Sequence, residues 1–197
     1  GNGLSSRLCA SHQACGTILR PLGSHLALLE SGVPLEQIPA LHAQAKGAAR
    51  IAIWDFDAHH GNGNARTFHE NKNVTLLDVY NADIYPNDAV SRRRVDIAVP
   101  LPSGTGGDLY LNKLIAALEQ LSSGYKLAFV VAGTDVLATD PLGGLALSVA
   151  DVAQSHKLVY QRLKALHIPT VFLGGGGYGK ESTAAIVAGI KAVSAIG

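Results

Sequence analysis

The feature that most constrains this chain is a repeated pairing: a short, β-branched apolar run, then a polar turn rich in glycine, then a helical stretch. Arg50-Ile51-Ala52-Ile53 runs into Trp54-Asp55-Phe56-Asp57-Ala58-His59-His60-Gly61-Asn62-Gly63. Leu127-Ala128-Phe129-Val130-Val131 runs into Gly133-Thr134-Asp135, and Thr170-Val171-Phe172-Leu173 into Gly174-Gly175-Gly176-Gly177-Tyr178-Gly179. Short apolar runs bounded by turn signals read as buried strands. Separated by helices long enough for crossovers, they predict an α/β fold, an open parallel sheet with helices on both faces. In such a sheet the loops leaving neighbouring strands converge at the strands' C-terminal ends, and sites are built there.

The pattern predicts strands over 49–55, 74–79, 95–99, 127–131 and 170–173. It predicts helices over about 64–70, from a cap at Asp108 to a stop at Gly124, from a cap at Ser148 to about 166, and over 181–196. Residues 1–46 pattern poorly, because Gly23, Gly32, Pro21 and Pro34 interrupt the apolar residues; only 35–46 suggests a short helix, and Pro39 argues against it. The expected organisation is therefore a divergent or truncated segment over 1–47 and the C-terminal part of a domain over 48–197. The chain holds no methionine, even at position 1, which implies a start inside a longer reading frame or after processing. The change of texture near residue 47 suggests a truncated, misjoined or out-of-frame remnant upstream.

At 197 residues, 47% hydrophobic and 16% charged, the chain can bury one sizeable core as a soluble domain. A net charge of +1 argues against a nucleic-acid surface, so no direct nucleic-acid binding is expected. Cys9 and Cys15 form neither a disulfide framework nor a finger pattern, and a cytoplasmic setting, or a nuclear one in a eukaryote, is expected. The apolar tract near the end is broken by Lys191, so no membrane span is expected.

Asp57 and His59, two residues apart, point the same way in extended backbone, with Asp55 on that side as well. A carboxylate oxygen and an imidazole nitrogen aimed at one point make part of a zinc site; the other reading has the acids capping the loop and the histidines as loop polars. Asp135, directly after an apolar strand, supplies a third ligand or caps the next turn. Two carboxylates and one neutral imidazole leave zinc nearly neutral with a position free, which is the catalytic arrangement. The run 174–177 lacks the Lys-Ser/Thr and the Gly-x-Gly-x-x-Gly spacing of phosphate loops. Glycines such as Gly176 and Gly177 would instead form a wall for an extended substrate, with the Tyr178 hydroxyl stabilising an oxyanion; the alternative is a tyrosine on a surface turn.

Together these segments resemble the zinc-dependent histone deacetylases and their bacterial relatives, the acetylpolyamine amidohydrolases included. Asp-Phe-Asp-Ala-His-His-Gly-Asn-Gly, Ala-Gly-Thr-Asp with Asp140-Pro141-Leu142-Gly143-Gly144-Leu145 behind it, and Gly-Gly-Gly-Gly-Tyr match three signature segments in order. Asp78-Val79-Tyr80-Asn81, Ile84-Tyr85-Pro86 and Leu101-Pro102-Ser103-Gly104-Thr105-Gly106 look most like the class IV branch. The resemblance covers roughly 48–197 and implies an arginase-like fold. It implies that Asp57, His59 and Asp135 bind Zn2+ and that Tyr178 polarises the acyl carbonyl. It further implies that Asp55, Asp57, His59, Asp78 and Val79 hold a structural K+, and that Tyr85 lines a tunnel for an acylated lysine or acetylated amine. It leaves the oligomeric state open.

One departure bears on activity. The family carries a His-His pair upstream of the first metal loop as general base and acid; here the text is Arg20-Pro21-Leu22-Gly23-Ser24-His25, with Ser24 where a histidine is expected. A serine cannot carry the proton at neutral pH, which leaves His25 as the upstream candidate. Losing general-base help costs about 10²–10⁴-fold. The expected activity is zinc-dependent hydrolysis of an acyl-lysine amide, the alternative a catalytically impaired zinc-binding relative or fragment. A binuclear ureohydrolase on the same fold would need further Asp-rich metal loops.

Overall fold

The structure, a computed structural model, describes residues 37–196. Five strands, β1 (Ile51–Asp55), β2 (Val74–Asn81), β3 (Ile97–Leu101), β4 (Leu127–Ala132) and β5 (Thr170–Gly174), form one sheet in the order β3-β2-β1-β4-β5. Every neighbouring pair is parallel. Six helices accompany them: α1 (Gln37–Ala45), α2 (Asn62–Thr67), α3 (Ala89–Arg92), α4 (Gly107–Glu119), α5 (Val149–Ala165) and α6 (Ser182–Ser194).

Strand periodicity sorts the core into two layers. Ala52, Trp54, Leu77, Val79 and Val130 face one way, against Tyr110 and Leu114 of α4, Val152, Val159 and Leu163 of α5 and Ala185 of α6. Ile51, Ile53, Val74, Leu76 and Phe129 face the other way, against Ala40 of α1, Ala65 of α2 and Phe68. Each fully buried leucine of the first layer, Leu114 and Leu163 among them, contributes roughly 1.5–3 kcal/mol relative to exposure. Both faces of β1 are covered, which is why it reads as an unbroken apolar run. The order places β1 between β2, reached through α2, and β4, reached only after β3 and α4. The sheet reverses direction of growth between β1 and β4, and their C-terminal ends open a crevice there.

The expected architecture is the observed one, with local differences. Pro39 lies inside α1 but in its first turn, where a missing N–H costs no helical bond. Ser148 caps α5 through a box: its side chain accepts from Asp151 N, and the Asp151 carboxylate accepts from Ser148 N. Asp108 does not cap α4. The cap is Gly106, with no side-chain bond, and Asp108 sits in the first turn. Gly107 lies so close to the Asp151 carboxylate that a Cβ would collide with it, so packing against α5 fixes the start of α4. That helix ends at Glu119, and Gly124 (φ 98°) serves the turn into β4 instead. β3 begins two residues later than expected, because the Asp96 carboxylate accepts from Leu76 N (2.8 Å) and from Arg94 (2.9 Å), ending the loop there. Pro100 is accommodated because β3 pairs on one side only among the described residues.

Candidate metal centre

The β1 loop, the β4 loop and the glycine run meet above the crevice. Asp57, His59 and Asp135 offer one ligand atom each, all within 4.8 Å of one another. The His59 Nδ1 lies 3.1 Å from Asp57 Oδ1 and 2.9 Å from Asp135 Oδ2, so one nitrogen stands between two carboxylates. Backbone amides fix the acids. Asp135 Oδ1 accepts from Ala58 N (2.8 Å), Asp57 Oδ1 from His59 N (2.9 Å), and Asp57 Oδ2 from Gly176 N (2.6 Å). Asp55 ends β1 and its Oδ1 accepts from Asp57 N at 3.2 Å, turning the chain so that the next acid points outward.

The glycines around this group are spatial requirements. A Cβ on Gly176 would fall between the Asp57 and Asp135 carboxylates, and one on Gly133 would meet Asp57 Cα at 2.9 Å. Gly143 packs onto the Asp135 carbonyl with no room for a side chain. Gly177 has a φ of 156° and lies against Thr134 Oγ1, so both conformation and contact demand glycine.

With no cation bound, the electrostatics are those of two acids sharing one base. The His59 imidazole is raised to about 10, chiefly by its hydrogen bonds to Asp135 and then Asp57. Burial, followed by the neighbouring Asp57 charge, raises Asp135 to about 8. Burial also acts to raise Asp57, but its hydrogen bonds from His59, Asp135 and the backbone amides hold it below the usual carboxylate range. Two oxygen donors and one nitrogen donor around a cradle kept clear by Gly176 suit a zinc-sized cation.

The remaining sequence candidates lie around this group. Tyr178 follows the glycine run, half-buried, with its backbone N donating to Asp140 Oδ2 at 2.7 Å. Tyr85 is 78% exposed on the loop between β2 and α3. Asp55 and Asp78 are buried register partners on β1 and β2, beside fully buried Val79. A cavity of about 10 Å³ beneath them is lined in part by Asp55, Gly61, Asn64 and Asp78. Asp78 Oδ1 and Asn64 Oδ1 are buried there and accept no hydrogen bond from the described residues. His25, Ser24, Cys9, Cys15 and the 1–36 part of the upstream segment lie outside the described residues.

Two residues escaped the sequence reading. His60 is buried, with Nδ1 2.6 Å from Asp78 Oδ2 and Nε2 2.7 Å from Ser91 Oγ, and so ties the metal loop to β2 and α3. Asp140, also buried, takes four backbone N–H groups from two loops. The only sequence signals for either were a second histidine beside a ligand and an acid before Pro141.

A metal-type Asp/His/Asp cluster at the C-terminal ends of a parallel sheet, backed by a glycine wall, defines the arginase/deacetylase class of α/β proteins. The match is specific: the histone deacetylase domain spans residues 37–193, and the chain belongs to that family. Histone deacetylase 2 of Arabidopsis thaliana is 40% identical over 148 residues, covering 74% of this chain and 38% of that protein. An acetylpolyamine amidohydrolase of Burkholderia pseudomallei is 27% identical over 183 residues, covering 86% of this chain and 52% of that protein. A crystal structure of a histone deacetylase homologue from Aquifex aeolicus superposes with a TM-score of 0.69 at 23% identity, covering 81% of this chain and 45% of that one, a likeness of fold. The chain thus spans about half, or less, of the length of these relatives.

Proposed function

We propose that this chain carries the metal-holding and tyrosine portion of an acyl-lysine amidohydrolase site, and that these 197 residues bind zinc while hydrolysing acyl-lysine weakly or not at all. The observation that carries the reading is the Asp57–His59–Asp135 cluster against Gly176. What weighs against full turnover is the fate of the histidines. The one adjacent pair in the sequence is His59-His60. His59 is engaged by both acids, and both His60 ring nitrogens are engaged, by Asp78 and Ser91. Neither is available to carry the proton from water to a leaving amine. His25 is the upstream residue left for that role.

In this reading zinc, held by Asp57, His59 and Asp135, would supply Lewis-acid chemistry toward a carbonyl and a water molecule. Asp57 and Asp135 balance the charge, and the Ala58 and Gly176 amides fix their oxygens so that little reorganisation accompanies binding. Gly176 and Gly177 leave room for an extended acylated side chain, and Tyr178 donates to the acyl oxygen as negative charge develops on it. Tyr85 would line the approach of the substrate, an acylated lysine or acetylated amine. The Asp78-Val79-Tyr80-Asn81 and Leu101-to-Gly106 loops support placement in the class IV branch. The Asp78 and Asn64 oxygens beneath β1, which have no hydrogen-bond partner among the described residues, support a K+ held by Asp55, Asp57, His59, Asp78 and Val79. Among the described residues there is one metal-type cluster, which disfavours the binuclear ureohydrolase reading.

The test is zinc quantification and hydrolysis of acetyl- and long-chain acyl-lysine peptides on one sample of purified chain. Stoichiometric zinc with turnover about 10²–10⁴-fold below a base-assisted enzyme is expected. Fast hydrolysis abolished by a chelator and by Tyr178→Phe would replace this reading with that of a complete deacylase. Absence of bound zinc would remove both.

A further inference from the structure

Asp140 joins the two loops that the proposed site needs, although it reaches neither metal nor substrate. It follows the β4 loop that carries Asp135, and it is 8% exposed. Its Oδ1 accepts from Leu142 N (2.9 Å) and Gly143 N (3.1 Å), closing the turn that packs on the Asp135 carbonyl. Its Oδ2 accepts from Tyr178 N (2.7 Å) and Gly179 N (3.0 Å), 38 and 39 residues further along the chain. The approach is close enough that a Cβ on Gly179 would meet the Thr139 carbonyl at 2.9 Å and Asp140 Cα at 3.2 Å. Two further links lie alongside, with Thr139 Oγ1 donating to Glu181 at 2.8 Å and Thr134 N to the Gly176 carbonyl at 2.6 Å.

A carboxylate has about four lone-pair sites, and here four amides engage them, so Asp140 has no capacity left for a cation or a proton transfer. Its charge-assisted bonds to fixed N–H groups are of the strong class. We infer that Asp140 is the positioning residue for Tyr178: one buried carboxylate sets the tyrosine loop against the third metal ligand's loop, so the tyrosine is held whether or not a metal is present. The functional meaning rests on the reading of Tyr178 as the group that polarises the acyl oxygen. The positional meaning does not depend on it.

Asp140→Asn isolates the claim, being the same shape. An amide can still accept from one loop, but its NH2 must then face the N–H groups of the other. Because Leu142 and Gly143 close a local turn, the tyrosine loop is the one released. Amide hydrogen exchange of the metal-free 197-residue chain is the primary readout, alongside the ring signals of 13C-labelled tyrosine, with Tyr178 assigned through Tyr178→Phe. The expected result is exchange at Tyr178 and Gly179 faster by about 10–100-fold, a changed Tyr178 ring signal, and zinc affinity within about threefold of the parent. Asp140→Ala, which removes the acceptor altogether, should release the same two amides.

Unchanged exchange at Tyr178 and Gly179 in both variants overturns the inference. So does uniform loss of protection in both, since the carboxylate would then hold the whole domain. If the parent hydrolyses acyl-lysine, Asp140→Asn should lower kcat with KM little changed and cost nothing further on a Tyr178→Phe background; additive losses overturn the route through Tyr178. A parent that binds no zinc refutes the site proposed above, while the exchange data still decide the role of Asp140.

Discussion

Gly176 donates its amide hydrogen to Asp57 Oδ2 at 2.6 Å, joining residues 119 apart in the chain. The bond makes the glycine run a structural wall of the metal cluster, and the absent side chain matters as much as the bond. In Gly176→Ala the new methyl must displace the Asp57 and Asp135 carboxylates, both already held by backbone amides. Zinc affinity should fall by at least tenfold, about 1.4 kcal/mol, with a smaller change in stability. Competition against a chromophoric chelator measures the first and thermal unfolding of the metal-free chain the second; unchanged affinity would mean that the cluster is not the zinc site.

The metal-free cluster also predicts how stability responds to alkali. His59 is raised from 6.5 to about 10 by the two acids, so it binds a proton more tightly folded than unfolded. That contribution is complete below pH 6.5 and is lost as pH rises toward 10. Asp135, raised to about 8 by burial, acts in the same sense from about pH 4 to 8. The Tm of the metal-free chain should therefore fall between pH 7 and 10. Zinc must displace the His59 proton, so its binding should release protons and tighten as pH rises. Calorimetric titrations in buffers of different ionisation enthalpy count those protons. A Tm flat from pH 7 to 10 would contradict the coupling.

Much of this was legible from the chain. Strands β1, β4 and β5 announced themselves as apolar runs ended by Asp or Gly, because their C-terminal ends must turn sharply; β2 runs on to Asn81 and β3 begins late, at Ile97. Asp57, His59 and Asp135 were legible as polar residues directly after apolar strands, whose ends fix place without knowledge of packing; the expected extended backbone does not reach them, since β1 ends at Asp55 and residues 57–59 lie in bends. Helix termini decided by tertiary contact were not: α4 starts where Gly107 can approach Asp151, which no local pattern encodes. The same limit hid His60 and Asp140, whose partners on other elements lie 18 to 39 residues away.

His60 offers a test of the metal loop's attachment to the sheet. Its ring bridges the buried Asp78 carboxylate and Ser91 Oγ, and Tyr80 packs beside it with ring centroids 5.0 Å apart. His60→Leu keeps the volume but takes a donor from a buried acid that already has one oxygen without a partner among the described residues. The cost should be roughly 1.5–3 kcal/mol. His60→Asn, whose amide can mimic the Nδ1 side of the ring, should recover part of it. Urea unfolding midpoints of the three proteins compare them directly, and equal losses in both variants would assign the cost to packing alone.

His156 of α5 predicts an acid limb of opposite origin. Burial alone lowers it to about 4, and it lies edge-on to Phe172 with centroids 6.0 Å apart. The unfolded chain takes up a proton near pH 6.5 that the folded chain refuses, so this contribution is present above 6.5 and is lost as pH falls toward 4. Tm should drop over that window, and the drop should be shallower in His156→Leu. Parallel profiles for the two proteins would rule His156 out as its source.

The same histidine sets the sign of a helix substitution. Gly189 lies in the interior of α6, where alanine ordinarily stabilises by about 0.5–1 kcal/mol. Here an added Cβ would run into the His156 ring, whose Nδ1 and Cε1 both lie inside contact distance of it. The ring is buried, with Phe172 of β5 packed against it. Gly189→Ala should therefore destabilise by about 1–3 kcal/mol, the usual cost of overpacking a filled core. If the close approach of the helices is the cause, shrinking the ring must reverse the sign: on a His156→Ala background, Gly189→Ala should stabilise by the ordinary helix increment. Chemical denaturation of the four proteins in this cycle measures the coupling between the two sites, and a coupling near zero would show that α6 can shift to admit the methyl group.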